Sequence, residues 1–142
     1  MNIFGWSRLD DQVLLADASL AMAMATAGAD TLLDLRAETK PPRLPIAIEH
    51  FPIEDLMPGQ EEQILAAAQR VRELTSQGQT VGIYCQAGVS RTSTVAIAYM
   101  VLGGVPLADA LAHVRRIRPQ AMPALELWHS LEKLAGVPEA GK

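Results

Sequence analysis

The segment that most restricts how this chain can fold is Thr80, Val81, Gly82, Ile83 and Tyr84, followed after a short loop by the run of residues 92–102. The first piece is short, largely apolar and rich in β-branched side chains, the pattern of a strand covered on both faces. The second is apolar nearly all round, which requires a helix buried beneath a sheet. A covered strand that feeds a buried helix needs layers above and below it, so the chain is read as an α/β protein with helices on both faces of the sheet.

The rest of the chain supplies those layers. Extended pieces lie around Val13, Leu14 and Leu15 and around Thr31 to Leu35, separated by an alanine- and methionine-rich stretch, residues 20–27, with good helix propensity. This is a β-α-β start, with Met22 and Met24 as core fillers. Pro41, Pro42 and Pro45 forbid a helix and mark a connection. Residues 46–51 then read as another strand and residues 52–59 as a loop. In residues 60–76, Ile64, Leu65, Ala68, Val71 and Leu74 fall three or four apart, an amphipathic helix ended at Gly78. Two further helices follow, one over residues 107–117 and one starting near Pro123 with Leu125, Trp128, Leu131 and Leu134 inward. The expected architecture is three-layered, with a central, mostly parallel sheet of four or five strands flanked by helices.

At 142 residues the chain suits a single domain, residues 1–142, with residues 136–142 as a flexible tail. Hydrophobic residues at 49% exclude a disordered chain, and 12 Lys plus Arg against 16 Asp plus Glu leave a charge of −4. Such a chain lacks the positive field that nucleic acid or anionic lipid would demand, so neither is expected as a partner. Residues 95–102 are too few to span a bilayer, and residues 1–8 lack the features of a secretory signal. One cysteine forms no internal disulfide, and His50, His113 and His129 show no metal-ligand spacing. The expectation is a cytoplasmic protein that needs no metal or other cofactor. Its oligomeric state is open, and a monomer is compatible with everything above.

The chemistry is concentrated in Cys85, Gln86, Ala87, Gly88, Val89, Ser90, Arg91 and Thr92. A thiol stands at a strand end, and a guanidinium follows six positions later at a helix start. If the intervening residues curl around one centre, their N–H groups form a nest and the helix adds its positive end, which together make an anion site. Gly88 permits the curl. Arg91 can grip two phosphate oxygens with its planar fork. In that field Cys85 is expected to ionise below the free-thiol value of ~8.5.

These residues resemble the cysteine-dependent protein phosphatases, specifically the compact dual-specificity branch, whose signature is Cys-x5-Arg followed by Ser or Thr. Leu33-Asp34-Leu35-Arg36, Pro52-Ile53-Glu54-Asp55 and Arg118-Pro119 resemble family landmarks in family order, so the likeness spans most of the chain. It implies a protein tyrosine phosphatase-like fold and hydrolysis of phosphomonoesters on proteins or peptides: phosphotyrosine, with phosphoserine and phosphothreonine as further candidates. By carry-over, Cys85 is the nucleophile that forms a phosphocysteine, and residues 86–91 bind the phosphate, with Arg91 as its main grip. Asp55, about thirty residues upstream, is the general acid and then base. Thr92 helps the thiolate depart. Capping of the following helix is the structural alternative for Asp55, and satisfying a helix-start group is that for Thr92. Glu54 is expected to point away from the site.

The sequence departs from the family at one position, where Tyr84 replaces the histidine that precedes the nucleophile. Two readings follow: an active but weakened enzyme, or a phosphate-binding module without turnover, a pseudophosphatase. A sulfur-transfer or arsenate-reducing enzyme is disfavoured, because no second cysteine is present to resolve an intermediate. Uncharged Gln86, Ala87, Val89 and Ser90 disfavour phosphoinositides. Asp34 is read as a brace between loops, and Arg115, Arg116 and Arg118 as a charged helix face that steers an anionic substrate.

Overall fold

The computed structural model describes residues 5–137. Its sheet has five strands: β1 (Ser7–Asp10), β2 (Val13–Asp17), β3 (Thr31–Arg36), β4 (Ala47–Ile53) and β5 (Val81–Cys85). They lie in the order β1-β2-β5-β3-β4. The pairs β2–β5, β5–β3 and β3–β4 are parallel, and only β1–β2 is antiparallel. The run that dictated the fold is therefore the middle strand, and every one of its residues is buried.

The pleat of β5 sends successive side chains to opposite layers. Val81, Ile83 and Cys85 enter the larger core, together with α2 (Glu61–Ser76), α3 (Arg91–Leu102), α4 (Leu107–Ile117) and α5 (Leu125–Leu134). Tyr84 enters a smaller core with Leu14, Ala16, Leu32 and Met24, covered by the single short helix α1 (Ala21–Thr26). Helix α1 sits close because residue 82 is glycine: a Cβ there would lie 2.7 Å from Leu32 Cδ2 and 2.9 Å from Met24 Sδ. The three-layer, mostly parallel architecture is thus present, and the strand count is the upper of the two expected.

Several expectations need correction. Strand β1 has no counterpart among them; four residues of mixed polarity with alternating burial carry too little pattern to be read as a strand. Strand β4 runs on through Pro52 to Ile53, which an edge strand tolerates because its outer N–H groups need no partner. Met22 is 41% exposed, so only Met24 fills the core. The last helix begins at Leu125, which is itself 66% exposed rather than inward. The preceding turn is engaged elsewhere, because Ala124 N–H donates to Ser90 Oγ. Arg118 is not on a solvated helix face: it is 2% exposed and turned inward. Of the tail expected over residues 136–142, the part from residue 138 on lies outside the described residues, as do residues 1–4 of the N-terminal segment. No helix among the described residues is long and apolar enough to cross a membrane.

Candidate active site

Strand β5 ends at Cys85 and α3 begins at Arg91, so residues 86–90 must turn between a sheet edge and a helix start. The carbonyls of Gly88, Val89 and Ser90 are claimed from outside the curl. Gly88 O accepts from Arg118 Nε (2.8 Å), Val89 O from Met122 N–H (3.0 Å), and Ser90 O from Thr94 N–H (3.0 Å). Every peptide bond among the described residues is trans, so each such carbonyl directs the next N–H the opposite way. The N–H groups of Val89, Ser90 and Arg91 therefore face the inside of the curl, as an anion-binding nest requires.

Gly88 makes the curl possible. Its φ is 69°, and a Cβ would lie 2.8 Å from both the carbonyl carbon and the oxygen of Ala16 on β2. The loop thus rests directly on neighbouring backbone. Arg118 secures it from behind, adding bonds to Gly5 O (3.1 Å) and Ser7 Oγ (3.0 Å) at the start of β1. The unexpected first strand and the misread arginine are one device that ties the sheet edge to the loop.

Cys85 is 2% exposed and receives the Thr92 hydroxyl at 3.0 Å. Arg91 is 6% exposed. A guanidinium has five N–H bonds, and three of Arg91's are committed. Nη1 donates to Glu38 Oε1 (2.6 Å) and Ile53 O (3.1 Å), and Nη2 to Glu38 Oε2 (2.8 Å). The buried Nε has no hydrogen-bond partner. What remains is Nε–H and the second Nη2–H, which lie along one edge of the fork. That pair matches two oxygens of a tetrahedral anion. Glu38, which sequence reasoning missed, fixes which edge is left. In return the guanidinium lowers the Glu38 carboxyl to a pKa of about 2. Glu38, Cys85 and Asp55 together hold Arg91 firmly charged.

Asp55 belongs to the loop between β4 and α2. Its Oδ1 accepts from Ser90 Oγ (2.8 Å) and from Leu56 N–H (3.0 Å). It does not cap α2, whose cap position is Gln60. Ser90 therefore joins three segments, since its oxygen also accepts from Ala124 N–H (2.9 Å). Gln60, 6% exposed, builds the loop itself: its carboxamide bonds the Glu54 N–H (2.8 Å), the Glu54 carbonyl and the Met57 carbonyl (3.1 Å). Asp55, Arg91, Glu38, Ala37 and Met57 line one open cavity of about 640 Å³. Glu54 lines it too, so it does not point away as expected.

Tyr84, beside the thiol in sequence, faces the opposite layer. Its hydroxyl donates to the fully buried Asp34 (2.9 Å), and burial followed by that carboxylate pushes its pKa up. Asp34 also accepts from Arg36 Nη2 (2.8 Å), and Arg36 Nη1 donates to Gln86 Oε1 (3.1 Å). The tyrosine thus reaches the loop through Arg36, which lies over its ring and shares Asp34 with its hydroxyl, and Asp34 braces this arrangement. Of the histidines, His50 and His113 meet backbone carbonyls, of Arg36 at 2.6 Å and of Leu9 at 2.9 Å.

The geometry agrees with what the chain is similar to. Residues 17–135 match the family model of the dual specificity phosphatase catalytic domain. Human dual specificity phosphatase 28 is 29% identical over 136 residues, covering 89% of this chain and 75% of that protein. Among solved structures, the active form of Tk-PTP superposes with a TM-score of 0.80 at 26% identity, covering 94% of this chain and 97% of that one. A tyrosine-to-histidine variant of human dual specificity phosphatase 28 superposes with a TM-score of 0.84 at 23% identity, over 93% of this chain and 94% of that one. The chain belongs to the dual specificity phosphatase catalytic-domain family, within the protein-tyrosine and dual-specificity class of phosphatases.

Proposed function

We propose that the protein hydrolyses phosphomonoesters on phosphorylated proteins or peptides, with phosphotyrosine as the leading substrate and phosphoserine or phosphothreonine as further ones, through a phosphocysteine on Cys85. The observation that carries this reading is the one uncommitted edge of buried Arg91, in the electrostatic company of Cys85 and Asp55. Phosphate oxygens sit against that edge and the inward N–H groups of Val89, Ser90 and Arg91. Cys85 Sγ attacks phosphorus in line; the S–P bond forms as the bond to the leaving oxygen breaks, and Asp55 delivers its proton to that oxygen. Water then attacks phosphorus, Asp55 takes its proton, and the sulfur departs as a thiolate stabilised by the Thr92 hydroxyl. This chemistry calls for no metal or other cofactor, and a reduced thiol fits a cytoplasmic setting.

A second reading, phosphate binding without turnover, rests on Tyr84, whose hydroxyl is spent on Asp34 rather than on the loop. Turnover of an aryl phosphate and of matched phosphopeptides separates the two. The enzyme reading predicts release of inorganic phosphate that disappears in Cys85→Ser while tungstate still binds; tungstate binding with no release from the native protein contradicts it.

A further inference from the structure

The cavity in front of Arg91 has an unusual charge balance for an anion site. Its lining carries three carboxylates, Glu38, Glu54 and Asp55, against one guanidinium. Glu38 holds that guanidinium in a two-point pair, so the positive charge is largely cancelled toward solvent and kept for whatever meets the free Nε edge. Of the other cations nearby, Arg118 is enclosed behind the loop by Gly88, Gly5 and Ser7, and Arg36 is paired with the fully buried Asp34. Glu54 is exposed, its backbone fixed by Gln60, and the Glu38 side chain is half exposed. A phosphoryl group thus enters a nest built for it across a negative rim, on a protein of charge −4.

A dianion flanked by further anions meets repulsion at such a rim, whereas a cation beside it finds carboxylates already in place. We infer that the site selects phosphorylated segments bearing a lysine or arginine next to the phosphorylated residue, through Glu54, and discriminates against doubly phosphorylated or acidic segments. The inference deepens the phosphatase reading and rests on it for the identity of the site. Asp55, when it carries the catalytic proton, contributes no repulsion; Glu54 then sets the sign of the rim.

The test compares phosphopeptides identical except for lysine or aspartate on either side of the phosphotyrosine, together with a doubly phosphorylated version. Two readouts are taken: kcat/KM with the native protein, and affinity with Cys85→Ser. The lysine peptide is expected to lead the aspartate peptide by about threefold to fivefold at low salt, the size of an exposed charge pair, and the gap should shrink as salt is added. In Glu54→Gln the ratio falls toward one, and in Glu54→Lys it drops below one. Equal values for both peptides, or a lead for the doubly phosphorylated one, overturn the inference even when turnover is normal. No turnover from any peptide, with the lysine preference intact in binding, overturns the phosphatase reading and leaves the selectivity standing.

Discussion

At the residue scale the site divides its labour by what each side chain has left to give. Thr92 has its hydroxyl on the sulfur, Glu38 has closed one edge of Arg91, and Asp55 faces the same cavity as that guanidinium. If Asp55 supplies the proton, Asp55→Asn should lower kcat for an alkyl phosphate by about 100-fold or more while slowing an activated aryl phosphate far less. Equal losses on both substrates remove Asp55 from that role. The Glu38 pair also has a pH signature. Its carboxyl pKa is lowered from 4.5 to about 2 in the folded protein, so its stabilisation is complete above the unfolded value and is lost as pH falls through that window. The acid unfolding curve of Glu38→Gln should therefore be flatter than that of the native protein between those pH values. Because this side chain is half exposed, solvent screening keeps the effect small. Coincident curves would show that the pair contributes nothing. Cys85 and Arg91 were visible as candidates from their spacing in the sequence, and Asp55 and Thr92 through the resemblance to the phosphatase family. Glu38 was not, because a single glutamate in an irregular connection has no periodicity and no neighbour in sequence to mark it.

At the scale of elements, the loop after β5 and the loop before α2 each depend on a residue that sets the loop's shape, Gly88 in the first and Gln60 in the second. Gly88 combines a left-handed φ with contact to the Ala16 backbone, so Gly88→Ala should cost roughly 1–3 kcal/mol and weaken tungstate binding. A thermal midpoint and oxyanion affinity equal to those of the native protein would contradict this account of the curl. Gln60→Ala removes three bonds from the loop that bears Asp55. It should reproduce part of the Asp55→Asn pattern, hitting alkyl more than aryl phosphates, with little change in oxyanion affinity. Uniform loss on both substrates would mean that Gln60 supports the fold and not the acid. Most of the elements were legible because helix and strand periods are local. Strand β1 was too short to carry a pattern, and two other exceptions share a cause. Leu125 and Ala124 are placed by a bond to Ser90, and β4 continues through Pro52 because it lies at an edge; both depend on neighbours distant in sequence.

At the scale of the whole molecule, the sheet positions chemistry by alternation. Cys85 and Tyr84 differ by one residue and so belong to opposite layers, which makes the tyrosine's influence on the thiol indirect, by way of Asp34, Arg36 and Gln86. Arg118 connects the other end of the system, bridging β1 to Gly88. In the sequence it looked like one of three surface arginines, since burial of a cation is a tertiary fact that composition does not reveal. Arg118→Ala should lower stability by roughly 3 kcal/mol, because buried carbonyls lose charged donors, and this would be read from a shift in the urea midpoint. The central claim, that Cys85 is the nucleophile, is tested most directly by quenching the native protein in acid during turnover of an aryl phosphate and mapping the product by mass spectrometry. The account predicts one added phosphoryl group on the peptide that contains Cys85, absent in Cys85→Ser. Turnover with no phosphorylated cysteine, or a phosphoryl group on another residue, would contradict it.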